Sequence, residues 1–239
     1  MQIQGHCAEK FSALRDTFEE LFAQHGDIGA GLAVVLDGEP VVELCGGLRD
    51  HEAGAPWEQS TVANVWSTTK GVTAICVAML VSRGQLAYDA PVSKYWPEFA
   101  AAGKAEVTVA QLLSHQAGLC GFRRPVDLGA LYDSASAAAE LASQEPFWPL
   151  GEGSGYHAIS VGFLLDELVR RVDGRDLKGF VVEELQTGCG LNISLGLPAE
   201  RYDRASMLYA PDLDNGGSSA VVPELDAIQL AALANPVMK

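Results

Sequence analysis

Residues 66–71 read Trp-Ser-Thr-Thr-Lys-Gly, and an apolar run through Val81 follows them directly. This run is typical of a helix, which Gly84 closes. Ser67 lies at the mouth of the predicted helix, and Lys70 comes three residues later. Because positions i and i+3 of a helix lie on one face, the hydroxyl and the amine can meet. A serine with a neighbouring amine is the arrangement that a lysine-activated nucleophile requires.

The local sequence leaves two interpretations of this pair open. In the first, Lys70 heads a helix so apolar that its amine loses solvent and can act as a base near neutral pH. The helix N-terminus would then favour negative charge that develops on Ser67. In the second, Ser67 is an ordinary helix N-cap and Lys70 extends its amine to water. An S-x-x-K tetrad alone does not distinguish these two interpretations, so the distinction depends on the rest of the chain.

Length, composition and charge narrow the classes of function. A chain of 239 residues suits one or two domains, and 48% hydrophobic residues are enough for a sizeable core. The formal net charge of −15 argues against nucleic acid and against anionic membrane surfaces as partners. The longest apolar run is about a dozen residues, too short to span a bilayer. Met1 to Lys10 lack the basic-then-apolar pattern of a signal peptide.

The cysteines and histidines point to no metal and no disulfide framework. Five cysteines are widely spaced without a CxxC pair: Cys7, Cys45, Cys76, Cys120 and Cys189. An odd number in this pattern is typical of reduced thiols. The five histidines are scattered and lack metal-ligand spacing. We therefore expect a cytoplasmic protein and no cofactor.

Periodicity predicts a small sheet element followed by a long helical region. A helix is predicted over Glu9–His25, and a hairpin over Gly29–Leu36 and Pro40–Leu44 with its turn at Asp37-Gly38-Glu39. Residues 48–66 are polar and irregular. Further helices are predicted over Ser67–Arg83, Thr108–His115, Ser134–Ser143, Ala158–Val172, Leu177–Leu185 and Glu224–Leu233, with Asn192–Leu197 as a strand candidate. This order is typical of an α+β protein.

A tyrosine follows the glycine-rich loop of residues 151–155 and precedes the helix predicted from Ala158. Such a loop can present the Tyr156 phenol to a cleft, where a tyrosinate near a lysine ammonium can serve as a general base. Taken alone, Tyr156 fits better as a half-buried tyrosine that packs its ring at a helix start. We interpret His115 as a structural histidine rather than a base. No serine has the G-x-S-x-G frame of an α/β-hydrolase.

Several motifs occur in a definite order along the chain. They are STTKG at Ser67–Gly71, QLAYDAPV at Gln85–Val92, VAQLLSHQAGL at Val109–Leu119, GYHA at Gly155–Ala158 and GFLL at Gly162–Leu165. With these motifs the chain resembles the serine β-lactamase-like superfamily, nearest the family VIII esterases and the class C β-lactamases. The resemblance extends from about residue 10 to the end. Each motif is weak alone, and together they are highly specific.

The resemblance implies a fold and a set of roles. The implied fold is α+β, of the β-lactamase and penicillin-binding-protein type: an antiparallel sheet flanked by helices, plus a mostly helical subdomain. The implied reaction begins with attack by Ser67 on a carbonyl. Lys70 then tunes and shuttles protons, and Tyr156 acts as base in acylation and deacylation. No cofactor is implied.

Two departures from the family pattern shape the expectation. Class C β-lactamases carry Tyr-x-Asn where this chain has Tyr156-His157-Ala158, and loss of the Asn amide favours ester substrates. The third motif, Lys-Thr-Gly in lactamases or a glycine motif with His or Trp in esterases, does not follow His157. The family's chains are also usually much longer. We therefore expect the front portion of such an enzyme, with the C-terminal sheet strands missing.

The expected organisation is one incomplete catalytic unit over 1–239. Residues 1–66 form an N-terminal helix and sheet hairpin, 67–209 a mostly helical region that carries the site, and 210–239 a loop and a helix. For this chain alone we expect poor catalysis, since one backbone donor of the family's oxyanion hole lies on the strand that carries the third motif.

Three functional hypotheses follow. The first is a cytoplasmic serine esterase that cleaves short acyl or aryl esters through an acyl-enzyme at Ser67. The second uses the same site as a β-lactamase, a DD-peptidase or an acyltransferase, because the acceptor depends on pocket walls. The third is a catalytically silent fragment, or a subunit completed by another chain or by a second copy. The expected partner is a small ester or β-lactam, with no nucleic acid and no membrane.

Overall fold

The computed structural model describes residues 2–209, which belong to two compact units. The described part of the first unit comprises residues 2–65 and 197–209, and the second unit is described over residues 66–196. The helix predicted over Glu224–Leu233, like the loop and helix expected over 210–239, lies outside the described residues. The grouping of the chain into one catalytic unit stays a prediction.

The described residues contain four strands and six α-helices. The strands are β1 (Gln4–Cys7), β2 (Gly29–Leu36), β3 (Glu39–Asp50) and β4 (Ala55–Pro56). The α-helices are α1 (Ser12–Gln24), α2 (Thr68–Ser82), α3 (Val109–Leu113), α4 (Ser134–Ser143), α5 (Ser160–Asp173) and α6 (Leu177–Phe180). Short 3₁₀ helices cover Glu9–Phe11, Val92–Lys94, Pro97–Gly103, Leu128–Tyr132 and Ala199–Arg204, and a π-helix covers Val181–Thr187.

The first unit is an antiparallel sheet with α1 packed on it. β3 lies between β1 and β2, and β4 pairs with the far end of β3. The predicted β2–β3 turn is present: Asp37 and Gly38 have φ of 53° and 86°, as a two-residue hairpin turn requires. Phe18 of α1 is buried with Val42 and Leu44 of β3. The predicted antiparallel sheet with a flanking helix is therefore confirmed.

The structure differs from the predicted strands at three places. β1 has no apolar alternation in its sequence QGHC, so the pattern missed it, and β3 continues to Asp50 rather than ending at Leu44. The strand candidate Asn192–Leu197 is wrong, because this segment is irregular. Its apolar residues Ile193 and Leu195 pack against the helical core instead. The Gln186 side chain donates to the Ile193 carbonyl, which therefore needs no neighbouring strand.

The second unit is a set of helices around one apolar core. Val77 and Leu80 of α2 are buried, as are Leu164 and Leu168 of α5 and Leu141 of α4. These side chains recur at a spacing of three or four, which gives each helix one buried face. This core fixes the start of α2 relative to α5 and to the loop that precedes α5. Within residues 2–209, no helix is long and apolar enough to cross a membrane.

Candidate active site

Ser67 is the N-cap residue of α2, with φ −69° and ψ −7°. Its carbonyl accepts the Lys70 N–H at 3.0 Å, so the helix begins directly at the serine. Within the described part of the chain, the Ser67 side chain makes no capping bond to this helix. Ser67 Oγ is exposed and points instead to two other side chains. The interpretation of Ser67 as an ordinary N-cap is therefore not supported.

Lys70 is held between the serine and the loop that follows Tyr156. Its Nζ donates to Ser67 Oγ at 3.1 Å and to the Ala158 carbonyl at 2.8 Å. The side chain is half-buried. An amine fixed by a backbone carbonyl has little freedom to move to water, so Lys70 is positioned to act on the Ser67 hydroxyl.

Tyr156 closes the cluster from the other side. Its Oη donates to Ser67 Oγ at 2.6 Å, and Lys70 Nζ lies 4.8 Å from the centroid of its ring. The hydrogen bond with Ser67, followed by the hydrogen bond and charge of Lys70, lowers the pKa of the Tyr156 phenol. The ring is 46% exposed, so its contact with Ser67 is not a by-product of core packing. The structure thus brings the three predicted side chains together.

Trp66 precedes the serine in a strained backbone conformation. Its φ is 45°, in the left-handed region, and its side chain is 71% exposed. A non-glycine residue there costs on the order of 1–3 kcal/mol, and such residues cluster at active sites. The Trp66 carbonyl accepts the Thr69 N–H at 3.1 Å, which ties the strained residue to the first turn of α2.

Two histidines lie beside the loop that carries Tyr156. His157 is completely buried (0% exposed). Its Nε2 accepts the Leu119 N–H at 3.0 Å, so its proton is on Nδ1, which donates to the Gly155 carbonyl at 2.5 Å. His115 Nδ1 accepts the His157 N–H at 3.1 Å, in keeping with a structural role. The sequence predicted a structural role for His115 but none for His157. The only feature of the sequence that could have indicated His157 is its position next to Tyr156.

Acid should destabilise the folded protein through His157. Burial lowers the pKa of His157 from 6.5 to about 4. Below pH 6.5 the unfolded chain binds a proton that the folded chain does not, so the free energy of unfolding falls as pH falls towards 4. His157 alone is expected to remove about 1.6 kcal/mol between pH 6.5 and 5. Urea unfolding at several pH values measures this slope.

The matched comparison uses two histidine variants. His157→Gln should flatten the slope between pH 6.5 and 5, whereas the exposed His25→Gln should keep it. Burial also lowers the pKa of His115, aided by the charge of Lys70, so a smaller slope of the same sign should remain in His157→Gln. If the free energy of unfolding depended on pH identically in wild type and His157→Gln, the assignment of this pH dependence to His157 would be wrong.

The glycine before Tyr156 is required by a neighbouring ring. A Cβ on Gly155 would lie 2.6 Å from Cη2 of Trp148, whereas a Cβ on Gly153 would keep 3.9 Å from the same ring. Trp148 Nε1 donates to the Gly153 carbonyl at 3.0 Å, so the ring is not free to swing away. Gly155→Ala should displace Tyr156 and destabilise the fold by about 1–3 kcal/mol. Gly153→Ala should be close to wild type.

Unfolding free energies and the rate of Ser67 modification by a fluorophosphonate test this pair of variants. We expect Gly155→Ala to slow modification at least 10-fold, since a displacement of about 1 Å costs that much or more. Equal rates in Gly155→Ala and wild type would mean that the loop can shift without moving Tyr156.

Comparisons with known proteins give a family match and solved structural neighbours. The family model described as Beta-lactamase matches residues 14–226. Esterase/beta-lactamase LipL of Mycobacterium tuberculosis is 38% identical over 184 residues, which is 77% of this chain and 42% of LipL. The solved penicillin-binding protein homolog from Caulobacter crescentus has a TM-score of 0.91 at 40% identity, covering 100% of this chain and 63% of that one.

A solved family VIII carboxylesterase has a TM-score of 0.83 at 43% identity, covering 87% of this chain and 58% of that chain. The chain thus spans less than two thirds of the length of each of these relatives. The fold expected from the resemblance is confirmed by these structural neighbours. The sequence match and the fold together show that the chain belongs to the beta-lactamase family.

Proposed function

We propose that this protein is a serine hydrolase that cleaves carboxylic esters through an acyl-enzyme at Ser67. The observation that carries the proposal is the convergence of Lys70 Nζ and Tyr156 Oη on Ser67 Oγ, at 3.1 and 2.6 Å. A nucleophile within hydrogen-bond distance of its proton acceptor is the arrangement expected for covalent catalysis. Relatives named esterase and carboxylesterase support the same reaction class.

In the proposed acylation step, Ser67 Oγ attacks the ester carbonyl carbon while its proton passes to the Tyr156 phenolate. The bonds to Ser67 and Lys70 lower the phenol pKa and so favour this phenolate. The tetrahedral intermediate then expels the alkoxide, which takes the proton from Tyr156. The Lys70 ammonium stays beside both oxygens and stabilises whichever carries the negative charge.

Deacylation repeats the sequence with water. Tyr156 accepts a proton from the water that attacks the acyl carbonyl, and Ser67 leaves with that proton. The Ala158 carbonyl holds Lys70 throughout, because it accepts from Nζ at 2.8 Å. Tyr156 is thus the group that moves protons, and Lys70 is the fixed charge that sets its basicity.

Esters are favoured over β-lactams by the residue two positions after Tyr156. Class C β-lactamases carry an asparagine amide there, and Ala158 has only a methyl group. The name of LipL includes both activities, so β-lactam hydrolysis is the second candidate. DD-peptidase and acyl-transfer activities would use the same nucleophile. We place the protein in the cytoplasm because its five cysteines, all among the described residues, form no disulfide bond.

Covalent trapping tests the proposal. The purified chain, with its mass verified, is treated with a fluorophosphonate and examined by intact-mass and peptide mass spectrometry. We expect a single adduct on Ser67, since phosphonylation needs the activated serine but not deacylation. Parallel assays with p-nitrophenyl esters and a chromogenic β-lactam rank the two substrate classes. A folded chain without an adduct, or with its adduct on another serine, would overturn the assignment.

A further inference from the structure

We propose that His157 is a positioning residue for Tyr156, and that with His115 it holds the tyrosine loop where the phenol meets Ser67. The proposal rests on the proposed function of the Ser67 site and identifies what keeps its proton acceptor in place. His157 touches no reacting atom in the mechanism above. It acts through the backbone on both sides of Tyr156.

The imidazole of His157 links two separate segments of the chain. Nδ1 donates to the carbonyl of Gly155, the residue just before Tyr156, at 2.5 Å. Nε2 accepts from the N–H of Leu119, 38 positions away in the sequence, at 3.0 Å. Both ring nitrogens are therefore paired although the side chain is completely buried. Removal of the ring would leave the buried Leu119 N–H without this acceptor.

His115 completes the link from the other segment. Its carbonyl accepts the Gly155 N–H at 3.0 Å, and its Nδ1 accepts the His157 N–H at 3.1 Å. The residues immediately before and after Tyr156 are thus both bonded to one histidine. The His115 ring stands edge-on to the Tyr156 ring, with 5.0 Å between centroids. His115 itself has a φ of 63°, which the surrounding bonds stabilise.

One further hydrogen bond and one ring contact extend the same support. Ser160 Oγ donates to the Leu119 carbonyl at 2.5 Å, so the segment that holds His157 is joined to the first turn of α5. Trp148 lies edge-on to His157, with 6.2 Å between ring centroids, and blocks the side of Gly155. Tyr156 is 46% exposed, and its ring packs edge-on against His115. Its position over Ser67 therefore depends on its neighbours in the chain.

The role predicts a specific defect in His157 variants. If the imidazole fixes the loop, its loss should move the Tyr156 hydroxyl away from Ser67 and Lys70. The phenol pKa would then rise towards its ordinary value, since those two partners lower it. Proton transfer from Ser67 would slow at the same time, because a shift of about 1 Å can cost 10²-fold in rate.

The test compares His157→Leu with His157→Gln, whose amide oxygen can replace Nε2 as the acceptor for Leu119. His25→Gln is the control. The first measurement is the second-order rate constant of Ser67 phosphonylation. The second is the titration of Tyr156, followed by tyrosinate absorbance. The Tyr156 signal is the difference in absorbance between each protein and the same protein with Tyr156→Phe. We expect a rate at least 10-fold lower and a higher phenol pKa in His157→Leu, with substantial recovery in His157→Gln and no change in His25→Gln.

A merely structural role gives a different outcome. In that case His157→Leu lowers the free energy of unfolding, but the folded variant keeps the wild-type rate and the wild-type Tyr156 titration, and the proposal is overturned. If His157→Leu does not fold, His157→Asn, which lacks a group at the Nε2 position, takes its place with the same expectations. If wild type is not labelled at Ser67, the proposed function fails, and the Tyr156 titration still decides the positioning role.

Discussion

In a complete enzyme, Ser67→Ala is expected to abolish fluorophosphonate labelling and to reduce kcat/KM for a p-nitrophenyl ester by roughly 10⁴–10⁶-fold relative to wild type. The reason is that Lys70 and Tyr156 both direct their polar atoms at Ser67 Oγ. Without that oxygen the cluster has no nucleophile, and only the residual rate from binding and electrostatic stabilisation remains. Intact-mass spectrometry and steady-state kinetics on the same preparation measure both effects.

Ser82→Ala provides the matched control. Ser82 is the last residue of the helix that begins at Thr68, and its side chain is exposed. At 1.5 Å per residue it lies about 20 Å from Ser67, so the same chemical change should leave labelling and turnover unchanged. Wild-type turnover in Ser67→Ala, or an equal loss in Ser82→Ala, would refute the assignment of the nucleophile.

Local patterns were sufficient for much of the fold. The apolar run after Ser67 predicted α2, because a long apolar segment closed by Gly84 is a helix signal. The Asp37-Gly38 turn fixed the β2–β3 hairpin, since both residues accept positive φ. The pattern failed at Asn192–Leu197, where apolar residues pack on helices rather than in a sheet. Alternation indicates a buried face but does not say what covers it.

The site was predictable only in part, for a reason that its residues make plain. Ser67 and Lys70 are one helical turn apart, so their contact follows from local geometry. Tyr156 lies 89 positions from Ser67, and their approach depends on how the helices pack. His157 and Lys104 are completely buried, although histidine and lysine are seldom so. Their burial is tolerated because both ring nitrogens of His157 and the amine of Lys104 are hydrogen-bonded. No sequence pattern shows these hydrogen bonds.

The second large effect is expected from removal of the two side chains that assist proton transfer from Ser67. Lys70→Met and Tyr156→Phe should each lower the rate of Ser67 acylation by about 10²–10⁴-fold. Because Tyr156 accepts the Ser67 proton and Lys70 sets the basicity of Tyr156, the double variant should be little worse than the more severe single one. Rates of phosphonylation in the four proteins complete the cycle. Lys94→Met and Tyr132→Phe are the matched controls, because both side chains are exposed. Their rates of phosphonylation should equal that of wild type.

The pH profile of Lys70→Met separates the two roles. The Tyr156 phenol pKa is lowered first by Ser67 and then by Lys70, so loss of Lys70 should raise that pKa only in part. If the phenolate accepts the Ser67 proton, the rate rises with pH as the phenol ionises. The acid limb of the profile should therefore move to higher pH in Lys70→Met and disappear in Tyr156→Phe. An acid limb that stays in place in Tyr156→Phe would mean that another group accepts the Ser67 proton. In the double variant, rate losses that equal the product of the two single losses would mean that Lys70 and Tyr156 act independently.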